Sequence, residues 1–276
     1  ELLGYTLGML GFPVHALARP LDNPLLSDWL FGIREARGLR ILTKWGATPE
    51  MHETLSRGGI VGFTADQNAG EGGLFVPFLG RLASTYKSIG LLAMRYRCPV
   101  IAGAALRRDR SLRYRFTATD IIRPHEWDDR PDPLYYLSAR VNRAMEAMVH
   151  QAPEQFLWIH RRWKSRPRHE RLGRPFPATL RRKLAELPWM TEAELERIID
   201  HSRRSAEAIR RERAAGEAGP EAGGTGGGGA PGGGAADGGS GSGGSGNGGS
   251  GPDGPQDDAG GDRSAPAPPA TAEAAR

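Results

Sequence analysis

Cysteine is almost missing from the 276-residue chain: Cys98 stands alone. A disulfide-stapled scaffold is therefore excluded, and Cys98, set before Pro99 at a strand start, reads as a buried structural thiol. No run approaches 18 apolar residues, which excludes a multi-span membrane protein. No stretch has the make-up of a cleaved signal peptide. The seven histidines, His15, His52, His125, His150, His160, His169 and His201, form no His-Glu-x-x-His pair. With no second cysteine they make no zinc pattern, so no metal site is expected. Neither Gly-x-Gly-x-x-Gly nor a phosphate loop appears, and the spacing of the glycine-rich stretch 68–73 fits neither. Gly-x-Ser-x-Gly is absent too, which argues against an ordinary serine hydrolase. The chain has no internal repeat.

Large apolar residues stop at Ile209. Residues 215–276 hold 23 of the 39 glycines, eight acids and two arginines. Such a tail cannot bury a core and is expected to be disordered. The whole chain carries +5, but the first 214 residues hold 35 basic and 24 acidic side chains, a formal +11. That length suits one domain with a sizeable core. The chain opens at Glu1, directly in amphipathic sequence, and the expectation is a piece whose N-terminal part lies upstream.

Short apolar strands alternate with helices. Residues 1–11 predict a helix closed by Gly11, and 13–19 a strand. Asn23-Pro24 starts a helix, with Asn as cap and Pro at the first helical position; Leu25, Leu26, Trp29, Leu30 and Ile33 would face inward. A strand follows at 39–44, then a helix capped by Thr48, with Met51 and Leu55 inward. The apolar run 60–65 is a buried strand, and 74–79 is extended. A helix is expected over 84–97, strands over 99–106 and 113–122, and a long helix from Asp132 or Pro133 through Met148. Thr191 and Glu194 form a capping box for a helix to about Arg213, either docked or partly free. This order predicts an α/β fold, a mainly parallel sheet flanked by helices, with ligands at the carboxyl ends of its strands. Asp66 and Gln67 stand at such an end.

Four strings are individually weak: Arg19-Pro20-x-x-Asn23-Pro24, Thr64-x-Asp66-Gln67, Phe75-Val76-Pro77-Phe78-x-Gly80 and Trp158-x-His160-Arg161-Arg162-Trp163-Lys164. Their order and gaps together resemble the lauroyl/myristoyl lipid A biosynthesis acyltransferases of Gram-negative bacteria, over about residues 1–167. The resemblance implies a glycerol-phosphate acyltransferase-like sandwich. It implies transfer of a fatty acyl chain from acyl-carrier protein to a hydroxyl of a lipid A precursor or similar glycolipid, at the cytoplasmic face of the inner membrane. The thioester is a co-substrate, and no cofactor is expected. The family's catalytic His-x-x-x-x-Glu/Asp string stands some eighteen residues before its Arg-Pro-x-x-Asn-Pro string. Glu1 stands eighteen residues before Arg19, so it matches the acidic end, and the His falls five positions upstream of this chain. The family's usual N-terminal hydrophobic anchor is also absent, consistent with truncation. Three regions follow: 1–167 as the acyltransferase domain, 168–214 as a basic segment with a C-terminal helix, and 215–276 as the tail.

The chemistry needs a base to take the hydroxyl proton during attack on a thioester, which His supplies near neutral pH. A carboxylate holds its tautomer. Cations, Arg above all, suit a phosphorylated acceptor. The resemblance implies Glu1 as the catalytic carboxylate, and the candidates for binding substrate are Arg19, Asn23, Asp66, Gln67, His160, Arg161, Arg162 and Lys164. All but Gln67 have a plainer reading. Glu1 is an exposed charge, Arg19 makes a salt bridge at a strand end, Asn23 only caps its helix, and Asp66 organises a turn. The 160–164 block is a solvated charge run. Yet its interleaved Trp158 and Trp163 suit lipid headgroups, and a basic face would steer acidic acyl-carrier protein. Acyl-carrier protein, a glycolipid and the membrane surface are the expected partners, with no nucleic acid. Two alternatives are a non-catalytic basic module binding anionic lipid or nucleic acid, and a folded fragment lacking its base.

Overall fold

The computed structural model describes residues 2–43 and 47–217. Glu1 and the tail beyond Glu217 lie outside the described residues.

Helix α1 (Leu2–Met9) leads into β1 (Val14–Ala18). Helix α2 (Pro24–Glu35) begins as its sequence requires, with Pro24 at the first position and Asn23 Oδ1 accepting from Leu26 N at 3.2 Å. Strand β2 (Arg40–Thr43), α3 (Ala47–Ser56) and β3 (Ile60–Gly62) follow. The three strands form a parallel sheet in the order β2-β1-β3, with His15 opposite Arg40 and Val61. Thr48, expected as a cap, lies inside α3, and the strand expected over 60–65 ends at Gly62. A first core gathers on this sheet from Leu42, Ala47, Met51 and Leu92, with Leu17, Leu55 and Phe63 packed against it.

The remaining strands depart from a mainly parallel sheet. β4 (Leu74–Phe78) pairs antiparallel with β5 (Arg81–Thr85), and β6 (Val100–Arg107) with β7 (Tyr114–Ile122). Chain length gives the reason. Parallel neighbours need a crossover of roughly a dozen residues, whereas two residues join β4 to β5 and six join β6 to β7. In the tighter turn Leu79 (φ 48°) and Gly80 (φ 72°) are both left-handed, the geometry that matches strand twist in a two-residue hairpin. Ser84 and Thr85, expected to open a helix, are the buried end of β5, and α4 starts only at Lys87 and ends at Tyr96.

Helix α5 (Pro133–Gln151) is the central strut, capped by Asp132, whose Oδ1 accepts from Tyr135 N at 2.9 Å. It packs against α4, β4, β6 and β7. The main core combines Val76, Phe78, Ile122, Trp127 and Leu137 with Leu184, Leu195 and Ile198 from further along the chain. Short helix α6 (Arg168–Arg171), α7 (Ala178–Ala185) and α8 (Glu192–Glu217) complete the described chain. The Thr191–Glu194 box forms, with Glu194 N donating to Thr191 Oγ1 and Thr191 N to Glu194 Oε2, both at 3.2 Å. The apolar stripe of α8 is buried, so the helix is docked, and it runs past Arg213.

Helix α2 reverses one expectation. Leu25 is 81% exposed and Trp29 62%, with Leu26 and Ile33 also outward, while Ser27 is the buried residue. Leu21 N donates to Ser27 Oγ at 3.2 Å, which turns the polar side inward.

Candidate functional site

Three separate stretches build the site: the turn and loop after β3, the β4–β5 hairpin, and residues 158–167. The first and third carry two of the sequence strings. They meet at His160 Nδ1, 3.0 Å from Asp66 Oδ2 across 94 residues of sequence, each side chain about three-tenths exposed. An ionised carboxylate accepts only. In that pair Nδ1 carries the proton, and the neutral ring presents Nε2 as an acceptor. Such an imidazole can take a hydroxyl proton or hold a sugar hydroxyl.

The junction is pinned on both sides. Asn68 Nδ2 donates to Ser165 Oγ at 3.0 Å, and Ser165 N donates to Asn68 Oδ1 at 3.3 Å. Arg171 pairs with Glu71 at 3.1 Å. Ala69 N donates to Ser84 O at 3.2 Å, and Ser84 Oγ donates to Gly70 O. Gly73 is required at the end of this loop: a Cβ there would run into Ser84 Oγ and stand 2.9 Å from Ala69 Cβ.

The 160–164 block faces two ways. Trp158 to His160 form a short 3-10 turn, and Arg161 then takes a left-handed conformation (φ 45°). Arg161 and Lys164 point outward, with Lys164 N donating to Arg161 O at 2.8 Å. Arg162 is turned inward and is 2% exposed. Its guanidinium donates to Ser84 O, to Thr85 Oγ1 at 2.7 Å and to Asn142 Oδ1 at 3.2 Å, and lies 5.4 Å from the Phe78 ring centre. Burial pulls it down to about 10, against the raising charge of Asp66, so it stays cationic at neutral pH. Arg162 therefore does not belong to the outward basic face. Trp163 also leaves the expected headgroup surface: it is partly buried on the main core, 5.7 Å from Phe78. Trp158 remains half exposed beside outward Leu157 and Ile159.

The Phe-Val-Pro-Phe-x-Gly string is structural here. Val76 and Phe78 are fully buried, and Gly80 makes the hairpin turn. Pro77 O accepts from Asn142 Nδ2 at 3.0 Å. Arg19 lies one residue past β1 with its side chain exposed, Asn23 caps α2, and Gln67 is half-buried beside Asp66. Glu1 lies outside the described residues. Sequence reading missed Asn142, which stands on α5 between buried Val141 and Met145 and bonds Thr85, Pro77 and Arg162. Its signal was an amide on the apolar face of a helix. It also missed Arg81, hidden in a segment whose hairpin went unread.

The sequence profile described as bacterial lipid A biosynthesis acyltransferase matches residues 1–165. The chain is 29% identical over 151 residues to the lipid A biosynthesis lauroyltransferase of Escherichia coli K12, covering 54% of this chain and 48% of that protein. It is 27% identical over 169 residues to the lipid A biosynthesis palmitoleoyltransferase of the same organism, covering 60% and 53%. A lipid A biosynthesis acyltransferase of Haemophilus influenzae is 29% identical over 168 residues, covering 60% and 52%. The chain thus spans about half the length of the curated relatives it matches. The match takes in all four strings, including both that meet at Asp66 and His160, and the chain belongs to the bacterial lipid A biosynthesis acyltransferase family.

Proposed function

We propose that this chain is part of an acyltransferase that moves a fatty acyl chain from an acyl-carrier-protein thioester to a hydroxyl of a lipid A precursor or similar glycolipid. The hydroxyl oxygen bonds the acyl carbon and the carbon–sulfur bond breaks. An imidazole takes the hydroxyl proton and returns it to the departing thiolate. In this reading the base is the His of the family's His-x-x-x-x-Glu/Asp string, and Glu1 is the acidic member that holds its tautomer. His160, oriented by Asp66, holds the acceptor, with outward Arg161 and Lys164 beside it. The sheet and its helices form part of a glycerol-phosphate acyltransferase-like sandwich.

The observation that carries this reading is the 3.0 Å meeting of Asp66 and His160. Two strings far apart in sequence come together as an imidazole–carboxylate pair, a chemistry that a mere charged surface does not need. The outward apolar row of α2 supports a site at a membrane surface, since Trp and aliphatic side chains suit the interfacial layer; the cytoplasmic face of the inner membrane is what the family resemblance implies. No helix among the described residues is long and apolar enough to cross a membrane.

The test is acyl transfer from acyl-carrier-protein thioesters to a lipid A precursor and to other glycolipids. It compares this chain with a form extended upstream at the gene level. Transfer by the extended form, lost on replacing the His five positions before Glu1, is expected. No transfer to any glycolipid by either form overturns the reading and moves a non-catalytic basic module ahead.

A further inference from the structure

Four cations converge where the β4–β5 turn meets the block after His160. Arg81, the first residue of β5, lays its guanidinium over the Trp163 ring, 5.1 Å from its centre. Arg161, Lys164 and Arg166 complete, with these two, a shallow cleft of about 330 Å³. A recess of about 10 Å³ shares Arg81, Trp163 and Arg166 and reaches Ser165, Glu170 and His201.

Charge in the cleft is unbalanced. Arg97, Arg140, Arg171 and Arg181 each have a carboxylate within ion-pair distance. Among the described residues, none of the four cleft cations does. Glu170 is the nearby acid, but it is buried and already accepts from Ser202 Oγ at 2.6 Å. Burial first, then the charge of Arg166, lowers the Arg81 guanidinium, against a raising contribution from Glu170. Like charges held together cost free energy. One multivalent oxyanion in the cleft offsets that cost. A carboxylate offers two oxygens and one charge. A phosphate offers more of each and matches a set of guanidinium forks.

We propose that the cleft of Arg81, Arg161, Trp163, Lys164 and Arg166 binds the phosphate of a phosphorylated ligand. It lies beside the Asp66–His160 pair through Ser165, which is bonded to Asn68. The proposal rests on the acyltransferase reading only for its biological source, a phosphorylated glycolipid. Because α6 and α8 supply Glu170 and His201, the site extends beyond the family match at residue 165.

The test is binding, read by calorimetry without turnover, of two probes. One is inorganic phosphate, and the other is phosphatidylcholine vesicles with and without phosphatidic acid. Arg81→Gln with Arg166→Gln is expected to weaken phosphate binding by about tenfold or more. Arg108→Gln with Arg110→Gln, two exposed cations of the β6–β7 loop, removes the same charge and is expected to leave binding within about twofold. Loss with phosphatidic acid vesicles alone identifies a lipid-borne phosphate, and loss with inorganic phosphate alone a soluble one. Should the first pair fail to fold, Lys164→Gln with Arg166→Gln takes its place. No binding of either probe, or equal loss in the Arg108/Arg110 pair, overturns the proposal. Because turnover is not measured, failure here leaves acyl transfer standing, and failure of transfer leaves a measured phosphate site standing.

Discussion

Replacing Arg162 tests how the basic block is divided. Arg162→Ala removes a buried guanidinium and three donated hydrogen bonds. The acceptors do not suffer equally. Ser84 O keeps Ala69 N at 3.2 Å, and Thr85 Oγ1 keeps Asn142 Nδ2 at 3.1 Å. Asn142 Oδ1 keeps only the Thr85 hydroxyl at 3.4 Å. One weakened buried acceptor costs about 1–3 kcal/mol, and the space left under Phe78 costs about 2–5 kcal/mol as a large-to-small core change. Against both stands the relief of burying a cation with no contacting carboxylate, several kcal/mol. The net expectation is a loss of roughly 2–4 kcal/mol, a large share of a typical domain's stability. Arg162→Met fills most of the volume without the charge and should lose about 1 kcal/mol or less. Arg161→Ala, at the exposed neighbour, should stay within about 0.5 kcal/mol. Urea unfolding followed by circular dichroism compares the midpoints at unchanged slope. Equal midpoints for Arg162→Ala and Arg161→Ala would refute the inward assignment. A Met variant as damaged as the Ala variant would refute the division between volume and charge.

Two further outcomes follow from the same packing. Gly73→Ala forces its Cβ onto Ser84 Oγ and within 3.2 Å of Thr85 N; a loss of about 1–3 kcal/mol and faster hydrogen exchange at Ala69 N are expected, and unchanged exchange would contradict the pinned loop. Burial holds the His169 imidazole below its usual range, with Nε2 2.8 Å from Ser202 Oγ. The unfolded chain therefore takes up the proton first, and this contribution is lost as pH falls from about 6.5 through the lower folded value. Raised Glu146 and Glu170 carboxyls act in the opposite sense, so the measurement is a difference. The stability gap between wild type and His169→Gln should change in favour of the variant, by up to about 1.4 kcal/mol per pH unit, between pH 7.5 and 5.5. A constant gap would contradict it.

What the sequence revealed was mostly local. Asn23-Pro24, Asp132-Pro133 and Thr191 with Glu194 mark helix starts because a cap is a short-range bond, and each forms. The hairpin was hidden because its turn uses Leu79-Gly80, and a leucine with positive φ gives no turn signal. Crossover length would have shown that β6 and β7 are antiparallel. Helical spacing found the apolar row of α2 but not its direction, since periodicity identifies a face without saying what lies against it. The site shows the same limit. The strings pointed to Asp66 and His160 separately, while their contact spans 94 residues. Residues 158–164 pass through a 3-10 turn and a left-handed residue, so no period separates inward Arg162 from outward Arg161.

The most direct measurement of the central claim, that Asp66 and His160 act as one acceptor-holding pair, is a double-mutant cycle in the upstream-extended protein. Asp66→Asn, His160→Gln and the double variant are compared by kcat/KM for acyl transfer, with folding checked by circular dichroism. The account predicts that each single change lowers kcat/KM by about tenfold or more and that the double variant is little worse than either. Losses that multiply, or a His160→Gln protein with normal kcat/KM, would contradict it.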